Sequence, residues 1–346
     1  NAGLLTLTQA VGVIMGANIG TTVTAWIISL VGFEMDMGLM ALPLLGIGVP
    51  FLFSKNNNLH AIGETVLGFS LLFLGLMFLK NSVPDLSQYP RILEVLSHYT
   101  QLGIWSILLF VAIGIGLTVV VQSSSATMAL TLLMCANGWI DFSMAAAMIL
   151  GENVGTTITA VIAASVGNTS ARQTALFHLV FNVLGVIWVL ILFSPFLRLV
   201  DAITQALGVT SPMVSASSAP IGLSIFHTTF NTLNTFVMVW FTPQLVKLVK
   251  RLLPQKETED EEYRLRFIGH DYMPTGEIAL LSVWQEVAGY ARRVHRMFGF
   301  VQRMLDPAND KELQKTYERI LKYENISDRM EVEIGNYLGR LHTSEL

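Results

Sequence analysis

The sequence has little charge, and the charge that it has is unevenly distributed. Asp, Glu, Lys and Arg make up 13% of the 346 residues, against about 25% in ordinary globular domains. Only five Lys or Arg residues occur before Val246, and none of them lies inside an apolar run. Residues 246–346, by contrast, are densely charged. Because charged side chains are costly in hydrocarbon, this contrast predicts a membrane body followed by a water-exposed body.

Cysteine is also nearly absent. The single cysteine, Cys135, lies in an apolar run, so an intrachain disulfide is excluded and we expect a small packing residue. The formal net charge of −4 is small, and it gives no reason to expect a nucleic acid as a partner.

Long apolar runs dominate the first 246 residues. About 20 apolar residues span the hydrocarbon core as a helix, and the candidate runs are roughly 4–31, 38–53, 59–79, 103–121, 124–140, 142–166, 172–197 and 216–246. Lys247, Lys250 and Arg251 follow the last run, and the positive-inside rule then puts the tail in the cytoplasm. We therefore expect a multi-pass protein of the inner or plasma membrane, surrounded by lipid.

One polar, glycine-spaced phrase occurs twice. The stretch GANIGTTVTAWIISLVG begins at Gly16, and GENVGTTITAVIAASVG begins 135 positions later at Gly151. Glycines in the middle of a lipid-embedded run favour a break in the helix, and the Thr-Thr pair after each second glycine can cap a restarting helix. Paired broken helices are typical of the binding sites of secondary transporters. Close helix packing through glycine is the alternative.

A second polar insertion interrupts the apolar run between Ile104 and Met134. It consists of Gln122, Ser123, Ser124 and Ser125, and such side chains are tolerated at membrane depth where they line a cavity or a re-entrant tip. Hydroxyl donors and helix N-termini suit an oxyanion, whereas carbonyl and hydroxyl oxygens suit a monovalent cation. Because no Lys or Arg is available to neutralise a bound anion, we expect a cation to bind together with it.

These motifs resemble the sodium-dependent phosphate cotransporter family. The resemblance rests on QSSSAT, the paired GxNxGTTxTA phrases and two FHxxFN boxes (Phe177–Asn182 and Phe226–Asn231), and the charged tail resembles a PhoU-type domain. It implies a symport of sodium and inorganic phosphate, with hairpins and broken helices from two inverted repeats around a mid-membrane site. The matching positions are Gln122, Ser123, Ser124, Ser125, Asn18, Thr21, Thr22, Asn153, Thr156 and Thr157.

Two features depart from a symmetric site. By the 135-residue offset, the first copy of QSSS would lie upstream of Asn1, so we expect the first repeat to be truncated at its N-terminus. Glu152 stands where the first phrase has Ala17. As an intramembrane carboxylate it is a candidate cation ligand or proton carrier, and a carboxylate at a helix end near water is the alternative.

The two FHxxFN boxes also allow a hypothesis from another class. Each box places His and Asn on one helical face, and a serine of the QSSS motif next to one histidine would suit an intramembrane serine hydrolase. Duplicated boxes fit a single activated nucleophile poorly, and a structural role for the His–Asn pairs is the simpler interpretation. We therefore predict a transporter and not an enzyme.

The tail is predicted to be helical. Apolar residues recur at three-and-four spacing from Ile278 to Leu305, DPAND breaks the chain, and a second helix is expected over about 310–341. Glu324, Asp328 and Glu331 share a face of that helix, and the ExxxD spacing resembles the PhoU metal motif, so a divalent or trivalent metal is a candidate ligand. A solvated charged face is the alternative.

The overall expectation is an all-α, polytopic membrane protein with two inverted repeats and a cytoplasmic helical bundle. The predicted segments are a transporter domain over 1–249, a charged linker over 250–270 and part of a PhoU-like domain over 271–346. We expect sodium as the coupling ion and no tightly bound cofactor, with a regulatory partner or a homodimer through the tail. The alternatives are proton coupling, another oxyanion, phosphate export, or a membrane-tethered phosphate-signalling module.

Overall fold

The computed structural model describes residues 6–31, 37–82, 99–100, 102–254, 265, 267–268, 276–305 and 310–344, and the regular elements within these ranges are helical. The α-helices are α1 (Leu7–Val31), α2 (Met37–Leu52), α3 (Asn57–Ser82), α4 (Ile104–Val121), α5 (Ser124–Ala136), α6 (Phe142–Ala164), α7 (Thr169–Ile191), α8 (Phe193–Ala206), α9 (Ala219–Met238), α10 (Thr242–Leu252), α11 (Gly276–Met304) and α12 (Asp310–Ser344). Short 3₁₀ turns at Ala216–Ser218 and Val239–Phe241 flank α9. The all-helical class is thus as predicted.

The chain divides into two compact units. The larger unit comprises Val11–Val166 and Thr174–Leu245. The smaller unit contains Val246–Leu346 together with Asn1–Ala10 and Gly167–Gln173.

Several helices are long and apolar enough to cross a membrane. Within the described residues these are Leu7–Leu30, Asn57–Phe78, Ile104–Val121, Phe142–Ala164 and Thr169–Ile191. The apolar runs at 38–53 and 124–140 form shorter helices, and the run at 216–246 is divided by the 3₁₀ turn at Val239–Phe241. The protein is therefore a multi-pass membrane protein, and within the described residues fewer helices than apolar runs are long and apolar enough to span a membrane.

Helix α6 lies at the centre of the larger unit. Of its most apolar window 67% is buried, against 17–39% in the other candidate spans. The side chains from Met144 to Leu150 are all buried in the main hydrophobic cluster, to which α4, α5, α7, α8 and α9 also contribute. A helix that is apolar and buried on all sides is a core helix, so α6 has little surface left for lipid.

The glycines of the second phrase serve close helix packing. A Cβ built on Gly151 would overlap the carbonyl oxygen of Val111 on α4, and one on Gly114 of α4 would overlap the carbonyl oxygen of Met148 on α6. A Cβ on Gly155 would lie 2.7 Å from Thr118 Cβ and 2.9 Å from the carbonyl oxygen of Ile115. Small residues on both helices therefore let the backbones of α4 and α6 approach each other closely.

The predicted helix breaks do not occur. α1 is continuous through Gly16–Thr22, and α6 is continuous through Gly151–Thr157. The threonine hydroxyls donate back along their own helices instead of capping free N–H groups: Thr21 Oγ1 lies 2.9 Å from Ala17 O, and Thr156 Oγ1 lies 2.9 Å from Glu152 O. The prediction of broken helices was wrong because each hydroxyl finds an acceptor within an unbroken helix.

The duplication nevertheless extends to the helix starts. α1 begins at Leu7 and α6 begins at Phe142, which are equivalent positions under the 135-residue offset. The residue before each helix caps it: Thr6 Oγ1 accepts from the Gln9 N–H at 3.3 Å, and Asp141 Oδ1 accepts from the Met144 N–H at 2.9 Å. The two phrases therefore begin nine residues after the start of their helices, at Gly16 and Gly151.

In the smaller unit, α11 and α12 form a helix pair, as predicted. Their shared cluster contains Ile268, Ala279, Val283, Ile326, Met330, Ile334 and Tyr337. The predicted apolar stripe is not the buried face, because Leu281, Trp284 and Phe298 are exposed. The DPAN stretch at 306–309 and most of the predicted linker, including 255–264, lie outside the described residues.

Candidate functional site

The QSSS motif forms the tip between α4 and α5. α4 ends at Val121, and Gln122 adopts a left-handed conformation with φ 57°, while its N–H donates to Thr118 O at 2.8 Å. Ser123 is the N-cap of α5, and its Oγ accepts a hydrogen bond from the Ala126 N–H at 3.3 Å. Left-handed backbone is uncommon for a residue other than glycine. The chain turns sharply here and begins α5 with two consecutive serines.

A pocket in the larger unit joins this tip to both repeated phrases. Its walls come from α1, α5, α6 and α9, and the lining residues are Asn18, Thr21, Thr24, Ala25, Ser124, Ser125, Met128, Glu152, Asn153, Thr156 and His227. Polar contacts hold α1 against α9, since Trp26 Nε1 donates to Thr228 Oγ1 at 2.9 Å and Ser224 Oγ donates to Ser29 Oγ at 3.0 Å.

Most of the predicted site residues meet in this pocket, although some do not. The lining includes Asn18, Thr21, Ser124, Ser125, Glu152, Asn153 and Thr156. Gln122, Ser123, Thr22 and Thr157 are not among the lining residues. Ser123 caps its helix, and Thr22 and Thr157 donate to Ile19 O at 2.7 Å and Val154 O at 2.6 Å.

The two asparagines present oxygen to the pocket. Asn18 Nδ2 donates to Ile14 O at 2.9 Å and lies 3.3 Å from His178 Nε2, so both of its hydrogens have partners. Asn153 Nδ2 donates to Ile149 O at 2.8 Å. Rotating either amide would place its oxygen against a carbonyl oxygen, which fixes the orientation. The carbonyl oxygen of each side chain is therefore free to accept from, or coordinate, a ligand.

The threonines of the pocket are restricted in the same way. A hydroxyl has one hydrogen and two lone pairs, and the hydrogens of Thr21 and Thr156 are engaged by the carbonyls of Ala17 and Glu152. Only the lone pairs remain for a ligand. The α1 and α6 walls thus present a matched set of neutral oxygens.

The start of α5 offers hydrogen-bond donors to the pocket, whereas α1 and α6 offer acceptors. The first N–H groups of a helix lack intrahelical acceptors, and the N-cap oxygen of Ser123 engages only the Ala126 N–H. The N–H groups of Ser124 and Ser125, together with their hydroxyls, are left to donate. Hydrogen-bond donors at the positive end of a helix dipole suit an oxyanion.

Glu152 is the only carboxylate among the lining residues. It is 1% exposed, its Oε1 accepts a hydrogen bond from Thr131 Oγ1 at 2.6 Å, and its Oε2 is buried without a hydrogen-bond partner. It lies in the middle of α6, which excludes the interpretation as a carboxylate at a helix end. An unpartnered carboxylate oxygen in a pocket wall is suited to a cation or a proton.

Within each FHxxFN box, the asparagine side chain donates to the backbone carbonyl of the histidine. Asn182 Nδ2 donates to His178 O at 3.1 Å, and Asn231 Nδ2 donates to His227 O at 3.0 Å. Among the described residues no hydrogen bond connects a serine hydroxyl to either imidazole, as a hydrolase dyad would require. His227 lines the pocket; sequence reasoning missed it, although the FHTTFN box was the available signal.

The predicted metal ligands of the tail do not form a cluster within the described residues. Glu324, Asp328 and Glu331 are exposed on α12, and no group of three or more His, Cys, Asp or Glu side chains in the described part of the chain is placed to hold a metal ion. These carboxylates lie on an exposed face, since the buried positions of this stretch are Tyr323, Ile326, Ser327 and Met330.

Comparison with known proteins shows several relatives in bacteria and mammals. The chain is 32% identical over 256 residues to the uncharacterized protein YqeW of Bacillus subtilis, covering 74% of this chain and 76% of the relative. It is 25% identical over 346 residues to the putative inorganic phosphate export protein YjbB of Escherichia coli, covering 99% of this chain and 59% of the relative. A 106-residue stretch, 29% of this chain, is 43% identical to 15% of the rat sodium-dependent phosphate transport protein 2B.

No solved structure matches the chain. The family model described as Na+/Pi-cotransporter matches residues 1–81 and 89–224, which include both repeated phrases, the QSSS tip and the first FHxxFN box. The match confirms the prediction of a transporter and not an enzyme. The chain belongs to the Na+/Pi-cotransporter family.

Proposed function

We propose that this protein carries inorganic phosphate across the cell membrane together with sodium ions. The observation that carries the proposal is the division of hydrogen-bonding capacity within one pocket. Neutral oxygens with engaged hydrogens face it from α1 and α6, and free donors face it from the start of α5. The lining therefore offers oxygen ligands for a cation and hydrogen-bond donors for an oxyanion.

The oxygen set supports sodium as the coupling ion. Asn18 and Asn153 present carbonyl oxygens, and Thr21 and Thr156 present hydroxyl lone pairs. Neutral carbonyl and hydroxyl oxygens replace the hydration shell of a monovalent cation without requiring a titrating group. Glu152 adds one carboxylate from the second phrase only.

The donor set supports phosphate as the substrate. Ser124 and Ser125 supply hydroxyl and backbone donors at the start of α5, and no Lys or Arg lines the pocket. Partial charges of roughly half a unit at a helix N-terminus do not neutralise a divalent anion. A sodium ion bound on the neighbouring oxygens would supply the missing positive charge.

The relatives agree with this proposal as far as their names extend. Phosphate appears in the names of the E. coli and rat proteins, and sodium appears in the name of the rat protein. The chain spans 59% of the length of the E. coli relative, so transport by the intact protein remains a proposal. The basic residues Lys250 and Arg251 in the last turn of α10 favour a cytoplasmic tail, for which we propose a PhoU-like regulatory role.

Radiolabelled phosphate uptake into proteoliposomes tests the proposal directly. We expect accumulation of phosphate under an inward sodium gradient, inhibition by arsenate, and loss of uptake when choline replaces sodium. Vesicles loaded with phosphate and given an outward sodium gradient would show whether the same protein also exports it. Sodium-independent uptake, or flux of a neutral solute unaffected by phosphate, would refute sodium-coupled phosphate transport.

Proton coupling through Glu152 is the second candidate, because the Oε2 atom is buried without a partner. Glu152→Gln keeps the shape of the side chain but cannot titrate. A proton-driven carrier should lose coupling and become independent of pH in this variant. A sodium-driven carrier should keep its sodium dependence with an altered sodium affinity, which is the result that we expect.

A further inference from the structure

His227 lines the proposed phosphate pocket but belongs neither to the oxygen-bearing walls of α1 and α6 nor to the donors at the start of α5. It lies on α9 between Phe226 and Phe230, two side chains with no exposed surface, and it is itself 4% exposed. Its Nδ1 atom is buried and has no hydrogen-bond partner in the described structure. An unsatisfied polar atom at this depth is costly, so the ring calls for an explanation beyond packing.

The burial of Nδ1 determines which ring nitrogen can meet a ligand. An N–H group buried without an acceptor is rarer in proteins than an unsatisfied acceptor. A proton on Nδ1 would be such an orphaned donor, so the favoured form of the ring carries its proton on Nε2. Because His227 lines the pocket while Nδ1 is buried, Nε2–H is the group available there.

The equivalent histidine of the first box is used differently. His178 Nε2 lies 3.3 Å from Asn18 Nδ2 and acts as an acceptor, because both hydrogens of that amide are donated. His178 therefore orients Asn18 and is not itself among the pocket-lining residues. The two boxes have the same sequence pattern, but one ring supports a wall residue and the other is part of the wall.

We infer that His227 is a phosphate-binding residue whose Nε2–H donates a hydrogen bond to an oxygen of the transported oxyanion. The inference rests on the proposed function and extends it. His227 contributes from α9 the third group of donors around the anion, after the hydroxyl and backbone donors of Ser124 and Ser125. These donors come from two different helices, so α5 and α9 would each donate hydrogen bonds to the anion.

Three substitutions at one position test the role of Nε2. The amide of Gln reaches about where Nε2 lies, the shorter amide of Asn does not, and Phe retains only the ring shape. In the intact protein in proteoliposomes, at saturating sodium, His227→Phe and His227→Asn should raise the phosphate KM by roughly tenfold or more, as expected for a lost hydrogen bond to a charged oxygen. His227→Gln should stay within about threefold of the wild type, a smaller loss because a donor is retained.

His178 provides the matched control. Because it acts through Asn18, His178→Phe should raise the sodium concentration needed for half-maximal uptake and leave the phosphate KM at saturating sodium nearly unchanged. Gel-filtration profile and thermal stability of each variant in detergent report folding. If His227→Phe fails to fold, the comparison of His227→Gln with His227→Asn carries the test alone.

The possible outcomes separate this inference from the function on which it rests. Wild-type protein that neither binds nor transports phosphate would refute both. If the wild-type protein transports phosphate, two results would refute the phosphate-binding role of His227 and leave the transport proposal standing. One is a phosphate KM that is unchanged in His227→Phe, and the other is a phosphate KM of His227→Gln as high as that of His227→Asn.

Discussion

The contact between α4 and α6 should control both stability and the position of the binding tip. A methyl group added at Gly114 would overlap the backbone of Met148, whereas one added at Gly116, two residues along the same helix, meets nothing within 4 Å. Gly114→Ala and Gly116→Ala are thus the same chemical change on one helix with different surroundings. Because the obstacle at Gly114 is backbone, it cannot be relieved by a side-chain rotation.

The two substitutions should have different effects on the Tm. Overpacking of this kind costs about 1–3 kcal/mol, and at roughly 2–4 °C per kcal/mol for a body of this size the Tm of Gly114→Ala in detergent should fall by several degrees. Gly116→Ala relieves the poor helix propensity of glycine, worth up to about 1 kcal/mol, so its Tm should be unchanged or slightly higher. Equal Tm values for the two variants would refute the close-packing argument.

The effect should extend to function. α4 carries the tip that presents Ser124 and Ser125, and α6 carries Glu152 and Asn153. Forcing the helices apart at Gly114 moves these two walls of the pocket relative to each other. The phosphate KM of Gly114→Ala should rise while that of Gly116→Ala stays at the wild-type value, measured by uptake into proteoliposomes.

Two further predictions address the repeated phrases and the tail. Thr21→Val and Thr156→Val should each lower apparent sodium affinity roughly three- to tenfold, as for a lost polar contact of about 1 kcal/mol. Thr21→Ser and Thr156→Ser should preserve the affinity, and sodium titrations of phosphate uptake measure it. If both Val variants misfold, the two threonines have packing roles instead. Glu324→Gln with Asp328→Asn should change neither Tm nor uptake, because both side chains are exposed on α12; a Tm that rises with added divalent metal in the wild type alone would contradict this.

The sequence predicted well which residues line one pocket, but it predicted the conformation of their helices poorly. The duplication placed Asn18 and Asn153 at equivalent positions, and both line one pocket with Ser124 and Ser125. The helix break inferred at Gly151 in the second phrase was wrong, because a glycine with a tight neighbour and a glycine at a break look alike in sequence. What distinguishes them is a partner such as Val111, which is 40 positions away from Gly151 along the chain.

His227 shows a second limit of the sequence. The boxes that contain His178 and His227 share one pattern, so their different roles cannot be predicted from it. The difference arises because Asn18 donates to Nε2 of the first ring, whereas Nδ1 of the second has no hydrogen-bond partner in the described structure. In the tail, the spacing of apolar residues predicted the helix α11 but placed Trp284 on its buried face, whereas Trp284 is exposed. An apolar stripe shows helical periodicity without showing which face packs against a neighbour.

The electrostatics of the pocket constrain the order of binding in the proposed cycle. The lining contains one carboxylate, Glu152, and no Lys or Arg, so the oxygens of α1 and α6 together with Glu152 make the unliganded pocket unfavourable for an anion. A cation bound among those oxygens reverses the local potential, and at short range in a site of low dielectric such a reversal is worth several kcal/mol. In this proposed cycle, binding of phosphate should therefore follow binding of the cation, and the two fluxes would be coupled because no lysine or arginine lines the pocket.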